Sequence, residues 1–172
     1  MITYNQAFDY YHCIFRIIHL LTHFKRNEYV ELDRLRIWDF YLLFPEQVFE
    51  IRLKRNESDI KALMKKYIKK KNNPYNEVYN NKKVFEKIRP YQMTAINCLA
   101  SYGIIDKELL KENRVSIISE ELLTKYSNNF IQISDKEKNV IAIMTSHFAN
   151  ISMFGPDGLK NRTKLMESKY DS

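Results

Sequence analysis

Apolar residues recur along most of this chain at three- and four-residue spacing, a period that predicts a molecule built mainly of α-helices. Over residues 8–24, Tyr10, Ile14, Ile17, Ile18 and Leu21 fall on one side of a helix and mark its buried face. His12, Arg16, His19 and His23 fall on the opposite side. From Glu31 onward, Leu32, Leu35, Ile37, Trp38, Phe40, Leu42, Leu43 and Phe44 cover nearly the whole circumference. A helix apolar all round is a central one, surrounded by others. Within it Arg36 and Asp39 stand one turn apart and are expected to pair with each other. Pro45 stops this helix and opens a further turn through Val48, Phe49 and Ile51. Residues 58–71 read as a Lys-rich helix with Ile60, Leu63, Met64, Tyr67 and Ile68 as its apolar stripe. Asn72, Asn73 and Pro74 end it, and the Asn-rich stretch to Asn81 reads as a loop.

In the second half Pro90 is placed to open a helix running to Tyr102, and Gly103 sits where a left-handed cap belongs. Ile104 and Ile105 then read as a short strand, residues 107–113 as a loop, residues 114–118 as an alternating strand, and residues 120–126 as a helix. That order is the pattern of a winged helix-turn-helix element with a short two-stranded wing. Ser134 and Glu137 form a capping box that opens a helix with Val140, Ile143, Met144, His147 and Ile151 on one face. The expected architecture is one mainly α domain over residues 1–172. It divides into a helical core at about 8–70, a winged-helix-like part at about 82–126, and a C-terminal helix with a docking tail at about 134–172.

Composition narrows the function. The three glycines, Gly103, Gly155 and Gly158, cannot supply a Gly-x-Gly-x-x-Gly turn or a phosphate-binding loop, so nucleotide cradles are excluded. So few turn glycines also argue against a sandwich or barrel of many short strands. Cys13 and Cys98 lie in apolar helical patterns and read as reduced core residues, as in the cytoplasm. Neither a signal peptide nor an apolar run of the ~18 residues a membrane span needs is expected, which predicts a soluble cytoplasmic protein with no membrane partner. The formal charge of +7 is concentrated: residues 52–89 hold 13 Lys and Arg against 4 Asp and Glu, a net +9 that leaves −2 for the other 134 residues.

That concentration selects the basic helix, Lys61, Lys65, Lys66, Lys69, Lys70 and Lys71, as a ridge that meets either nucleic-acid phosphates without reading sequence or an acidic protein surface. The winged-helix pattern points away from sequence reading. Its outward residues would be Gln92, Thr94, Asn97 and Ser101, with only Arg89 basic nearby, and a major-groove reader brings more charge. His19 and His23 have an i,i+4 metal-ligand spacing, but no carboxylate completes the set and Arg16 on the same face repels a cation, so no metal is expected. The His12, Arg16, His19 and His23 side is read instead as a partner-binding face. No Ser/His/Asp or Cys/His constellation stands out, and the chain is expected to be neither an enzyme nor a cofactor binder. Gly155, Gly158, Lys160, Arg162 and Thr163 form a segment whose backbone either folds as an anion nest or docks on a partner.

Three stretches together resemble the middle components of ABC-three-component systems: Ala7-Phe-Asp-Tyr-Tyr-His-Cys-Ile-Phe-Arg16, Glu31-Leu-Asp-Arg-Leu-Arg-Ile-Trp-Asp-Phe-Tyr-Leu-Leu-Phe-Pro45, and Gly155-x-x-Gly-Leu-Lys-x-Arg-Thr163. The resemblance runs nearly the whole chain and is least patterned over residues 69–83. It implies an accessory subunit of a bacterial anti-phage or anti-plasmid complex, Lamassu-type defence included. Such a subunit partners an SMC- or Rad50-like ABC ATPase and an effector, often a nuclease, and controls release of that effector. An auxiliary non-specific DNA contact would fall to the Lys ridge. The competing reading is a stand-alone winged-helix transcription regulator. The family carries no catalytic residues over to this chain.

Overall fold

The computed structural model describes residues 5–24, 28–68, 80–130 and 132–167, and these residues are mainly helical with one small two-stranded antiparallel sheet. They group into two compact units, Met1–Leu43 with Lys87–Gln132, and Phe44–Glu86 with Ile133–Ser172.

In the first unit a 3₁₀ turn, Gln6–Phe8, leads into α1 (Tyr10–Leu21), whose N-cap Asp9 accepts a hydrogen bond from the His12 amide at 3.0 Å. Helix α2 (Leu32–Leu43) is the expected central helix: ten of its twelve residues are buried, Leu35, Ile37 and Phe40 completely. α1 packs on α2 and on α6 (Glu120–Asn128), and two neighbours widen its buried arc to include Arg16 and Cys13. Arg16 is therefore buried, whereas His12 and His19 are half-buried and His23 alone of the three is exposed. Burial and then the Asp39 charge push the Cys13 thiol well up, against the pull of Arg16, so Cys13 stays a neutral core residue; Cys98 is half-buried.

Pro90 does not open a helix. It lies inside α4 (Asn81–Ser101) at an exposed position, and the helix belongs to the first unit from Lys87 onward. Gly103, at φ +76°, closes it as expected from a position only glycine adopts easily.

The strands differ from expectation in partner. Residues 114–116 form β2, and its ladder partner is β1 (Tyr29–Glu31), in the register Tyr29↔Ser116, Val30↔Val115 and Glu31↔Arg114. Ile104 and Ile105 meet the other side of that strand only through the Ile105↔Ile117 bridge and the flanking bonds Asp106 N to Ser116 O and Ile118 N to Ile104 O. The expected loop at 107–113 holds a helical turn, α5 (Lys107–Lys111), because Asp106 caps it by accepting from the Glu108 and Leu109 amides at 2.8 and 3.1 Å.

In the second unit a 3₁₀ segment, Pro45–Glu50, precedes α3 (Ser58–Tyr67). Helix α7 (Asp135–Ser146) starts at the capping box, with Ser134 Oγ and the Glu137 carboxylate each holding the other residue's amide. α7 packs on α3 and on the 3₁₀ segment, and α8 (Leu159–Thr163) follows a tight loop. Val48, Met64, Ile68, Phe85, Val140, Ile141, Met144, Phe148 and Leu159 form this unit's core. Among the described residues no helix is long and apolar enough to cross a membrane.

Candidate functional site

In the first unit, two of the three motif stretches meet in a buried polar network. Asp39, fully buried, accepts from Arg16 Nε at 2.6 Å and Arg16 Nη2 at 3.3 Å, a two-point guanidinium–carboxylate pair. Gln92 Nε2 donates to Asp39 Oδ2 at 2.8 Å and to the Arg36 carbonyl at 3.0 Å, while its Oε1 accepts from Arg36 Nε at 3.1 Å. Arg36 completes its charge balance on Asp33 at 3.1 Å. The expected Arg36–Asp39 pair is thus replaced by Arg16–Asp39 and Arg36–Asp33. Gln92, expected to face outward, lies in the core, leaving Thr94, Asn97 and Ser101 as the exposed neutral face of α4. Arg16 is a structural cation and not part of an exposed binding face.

The histidines stay on one side of α1. Phe15 lies between His12 and His19, with ring centroids 6.4 and 4.4 Å away, and Phe130 of the same unit packs edge-on against Phe15 at 5.4 Å. His23 is exposed at the helix end, its Nδ1 3.1 Å from the His19 carbonyl oxygen.

In the second unit the glycine-containing segment folds against the loop that precedes α3. Arg162 is 4 % exposed, and its Nη1 lies 2.9 Å from both carboxylate oxygens of Glu57. Arg162 Nε also donates to the Asp157 carbonyl at 2.7 Å, and the Arg52 amide donates to the Arg162 carbonyl at 3.0 Å. Glu57 further accepts from the Lys54 amide at 2.6 Å, and His147 Nε2 stands 3.5 Å from it. Burial pushes the Glu57 carboxyl up, but the Lys54 amide, Arg162 and the His147 charge together hold it below its ordinary value.

The amides at the start of α8 face inward. Gly158 N donates to Gly155 O, Leu159 N to Ser152 O at 2.7 Å, and Lys160 N to Met153 O at 3.2 Å. The anion-nest alternative is therefore corrected: backbone carbonyls already occupy these donors. Gly155 is required at φ +88°, and Gly158 because a Cβ there would run into the Phe154 carbonyl. Thr163 is buried, with its hydroxyl on the Lys160 carbonyl, and the Lys160 ammonium sits 4.7 Å from the centroid of the exposed Phe154 ring.

On α3, Lys61, Lys65 and Lys66 are exposed, with Leu63 and Tyr67 half out of the surface beside them; Lys69, Lys70 and Lys71 lie outside the described residues. The residues that sequence reasoning missed are Glu57, Asp39 as the partner of Arg16, and Phe154. The local signals were an acid directly before a helix start, a lone acid in an apolar helix, and an aromatic directly before Gly155-Pro156.

The family model described as ABC-three component (ABC-3C) system Middle Component 5 matches residues 2–171. No curated protein and no solved structure matches the chain.

Proposed function

The chain belongs to the Middle Component 5 family of ABC-three-component systems, and on that premise we propose that it is a non-enzymatic, cytoplasmic accessory subunit. It bridges an SMC- or Rad50-like ABC ATPase and an effector such as a nuclease, in Lamassu-type defence or a related system, and it holds the effector until the ATPase engages foreign DNA. The observation that carries this reading is the family match over residues 2–171. Support comes from the ionisable groups of the three motif stretches. Arg16 and Asp39 in the first unit and Arg162 in the second are each buried in an ion pair internal to that unit, as expected of a subunit whose shape is what its partners recognise.

The extended segments 29–31, 114–117 and 104–105, with α4 beside them, serve as a winged-helix-like element in this reading. Beyond Pro90 its exposed α4 residues, Thr94, Asn97 and Ser101, carry no charge, and the exposed cations Lys87 and Arg89 stand only before it, which favours protein contact over base reading. The DNA contact falls to Lys61, Lys65 and Lys66, none of which forms an ion pair with a described residue.

The test is co-production of the tagged chain with an ABC ATPase and an effector of a three-component system. The chain is expected to retain both through a wash at moderate salt, and capture of neither would reject the reading. A triple Lys61→Glu, Lys65→Glu, Lys66→Glu variant is expected to retain both subunits while its assembly loses DNA at lower salt. With three fewer phosphate contacts the slope of log K against log salt falls by about 3. Loss of the subunits with DNA binding unchanged would place an acidic protein on this ridge instead.

A further inference from the structure

We propose that the loop of residues 152–158 is a preformed docking tip, whose Phe154 side chain inserts into an apolar pocket edged by carboxylates on another subunit of the ABC-three-component assembly. The proposal rests on the accessory-subunit reading and assigns to it the contact that residues 155–163 make.

Phe154 is 51 % exposed although its neighbours Met153 and Leu159 are buried. A bare aromatic on a pliable loop folds back onto the nearest apolar surface. This loop is held against doing so. Beyond the glycine geometry and inward amides already described, Phe154 N donates to Ser152 Oγ at 3.2 Å, Asn161 Nδ2 to the Pro156 carbonyl at 2.5 Å, and Arg162 to the Asp157 carbonyl. The backbone on both sides of Phe154 is therefore ordered before any partner arrives, which removes much of the entropy loss that binding through a loop otherwise carries. A large aromatic presented by a rigid scaffold is the kind of side chain that dominates the centre of a protein interface.

The surroundings fix the chemistry of the partner. Lys160 lies over the ring, Lys164 is exposed at the end of α8, and Arg52 comes from the adjoining loop. The nearby acid, Asp157, is already paired with Lys54 at 2.7 Å. That hydrogen bond, together with the Lys54, Arg162 and Arg52 charges, holds its carboxyl below the ordinary value, a sign of the positive field at this tip. An apolar pocket with an acidic rim complements both the ring and its cations. A DNA backbone would satisfy the cations and leave the Phe154 ring without a pocket.

The experiment co-produces full-length chain, ATPase and effector, and measures subunit capture for Phe154→Ala, Phe154→Leu and Lys160→Glu. Phe154→Ala is expected to lower capture of one subunit at least about tenfold, Phe154→Leu to recover part of it, and Lys160→Glu to weaken it. Because the ring is exposed, the thermal midpoint of Phe154→Ala should match the wild type, so that lost capture is not lost folding. Wild-type capture by Phe154→Ala would overturn the proposal and leave the accessory reading standing. Two other results would also overturn it: a Phe154→Ala effect confined to DNA retention, or one confined to self-association of the chain. Failure of the wild type itself to capture either subunit would reject the accessory reading, and this proposal with it.

Discussion

Asp39→Ala is expected to destabilise the first unit by about 3–5 kcal/mol, because it leaves the Arg16 guanidinium buried without its counter-charge. Arg16 and Asp39 come from α1 and α2, 23 residues apart, and Gln92 of α4 closes the network on the same carboxylate. The one tryptophan, Trp38, is buried in α2 and stacked on Phe24 at 5.5 Å, so its fluorescence reports this unit during urea unfolding. The expected result is a midpoint shifted far down with little change in slope. Replacing both partners, Arg16→Met with Asp39→Leu, is expected to recover most of the loss, since a buried pair exchanged for apolar groups is close to neutral. A single Asp39→Ala variant within about 0.5 kcal/mol of wild type would mean that the network braces nothing, as a surface change does.

Arg162→Ala is expected to have the next largest effect, about 2–4 kcal/mol on the second unit at neutral pH, slightly less because Glu57 keeps some contact with solvent. It leaves the Glu57 carboxylate facing its remaining donors alone and frees the loop at Asp157. The pH dependence has a definite sign. The Glu57 pKa is depressed in the folded chain, so its contribution is full above the ordinary value of about 4.5 and is lost as pH falls through the lower folded value. The gap between wild type and Arg162→Ala should therefore be widest at neutral pH and should close in acid. Hydrogen exchange at the Leu159, Lys160 and Lys164 amides, which are bonded within this segment, reads it locally. Equal protection of those amides in both proteins at pH 7 would contradict the role given to Arg162.

Much of the fold was legible because its signals were local. The all-round apolarity of residues 32–44 marked the central helix, the Ser134–Glu137 pair marked the start of α7, and Gly103 marked the end of α4. What escaped depended on neighbours distant in sequence. β1 is three residues long, too short to alternate visibly, and its partner lies more than 80 residues away. Arg16 sits at the edge of the buried arc of α1, and only the packing of both α2 and α6 takes it inside, so a helical wheel drawn for one helix put it with the histidines. The same limit applied to the terminal segment. Its glycines and cations were visible, but whether Arg162 faces a partner or Glu57 depends on where residues 52–57 return. The members of that segment that hold the loop, Gly158, Arg162 and Thr163, turned out to be distinct from the ones it presents, Phe154 and Lys160.

The accessory-subunit role is tested by capture of an ABC ATPase of a three-component system by the tagged full-length protein, followed by DNA footprinting of the isolated chain. An accessory subunit forms a stable assembly with the ATPase, and alone it binds DNA weakly, in a way that fades with salt and protects no defined sequence. Recovery of the chain without the ATPase, together with protection of a defined DNA site at moderate salt, would contradict that role.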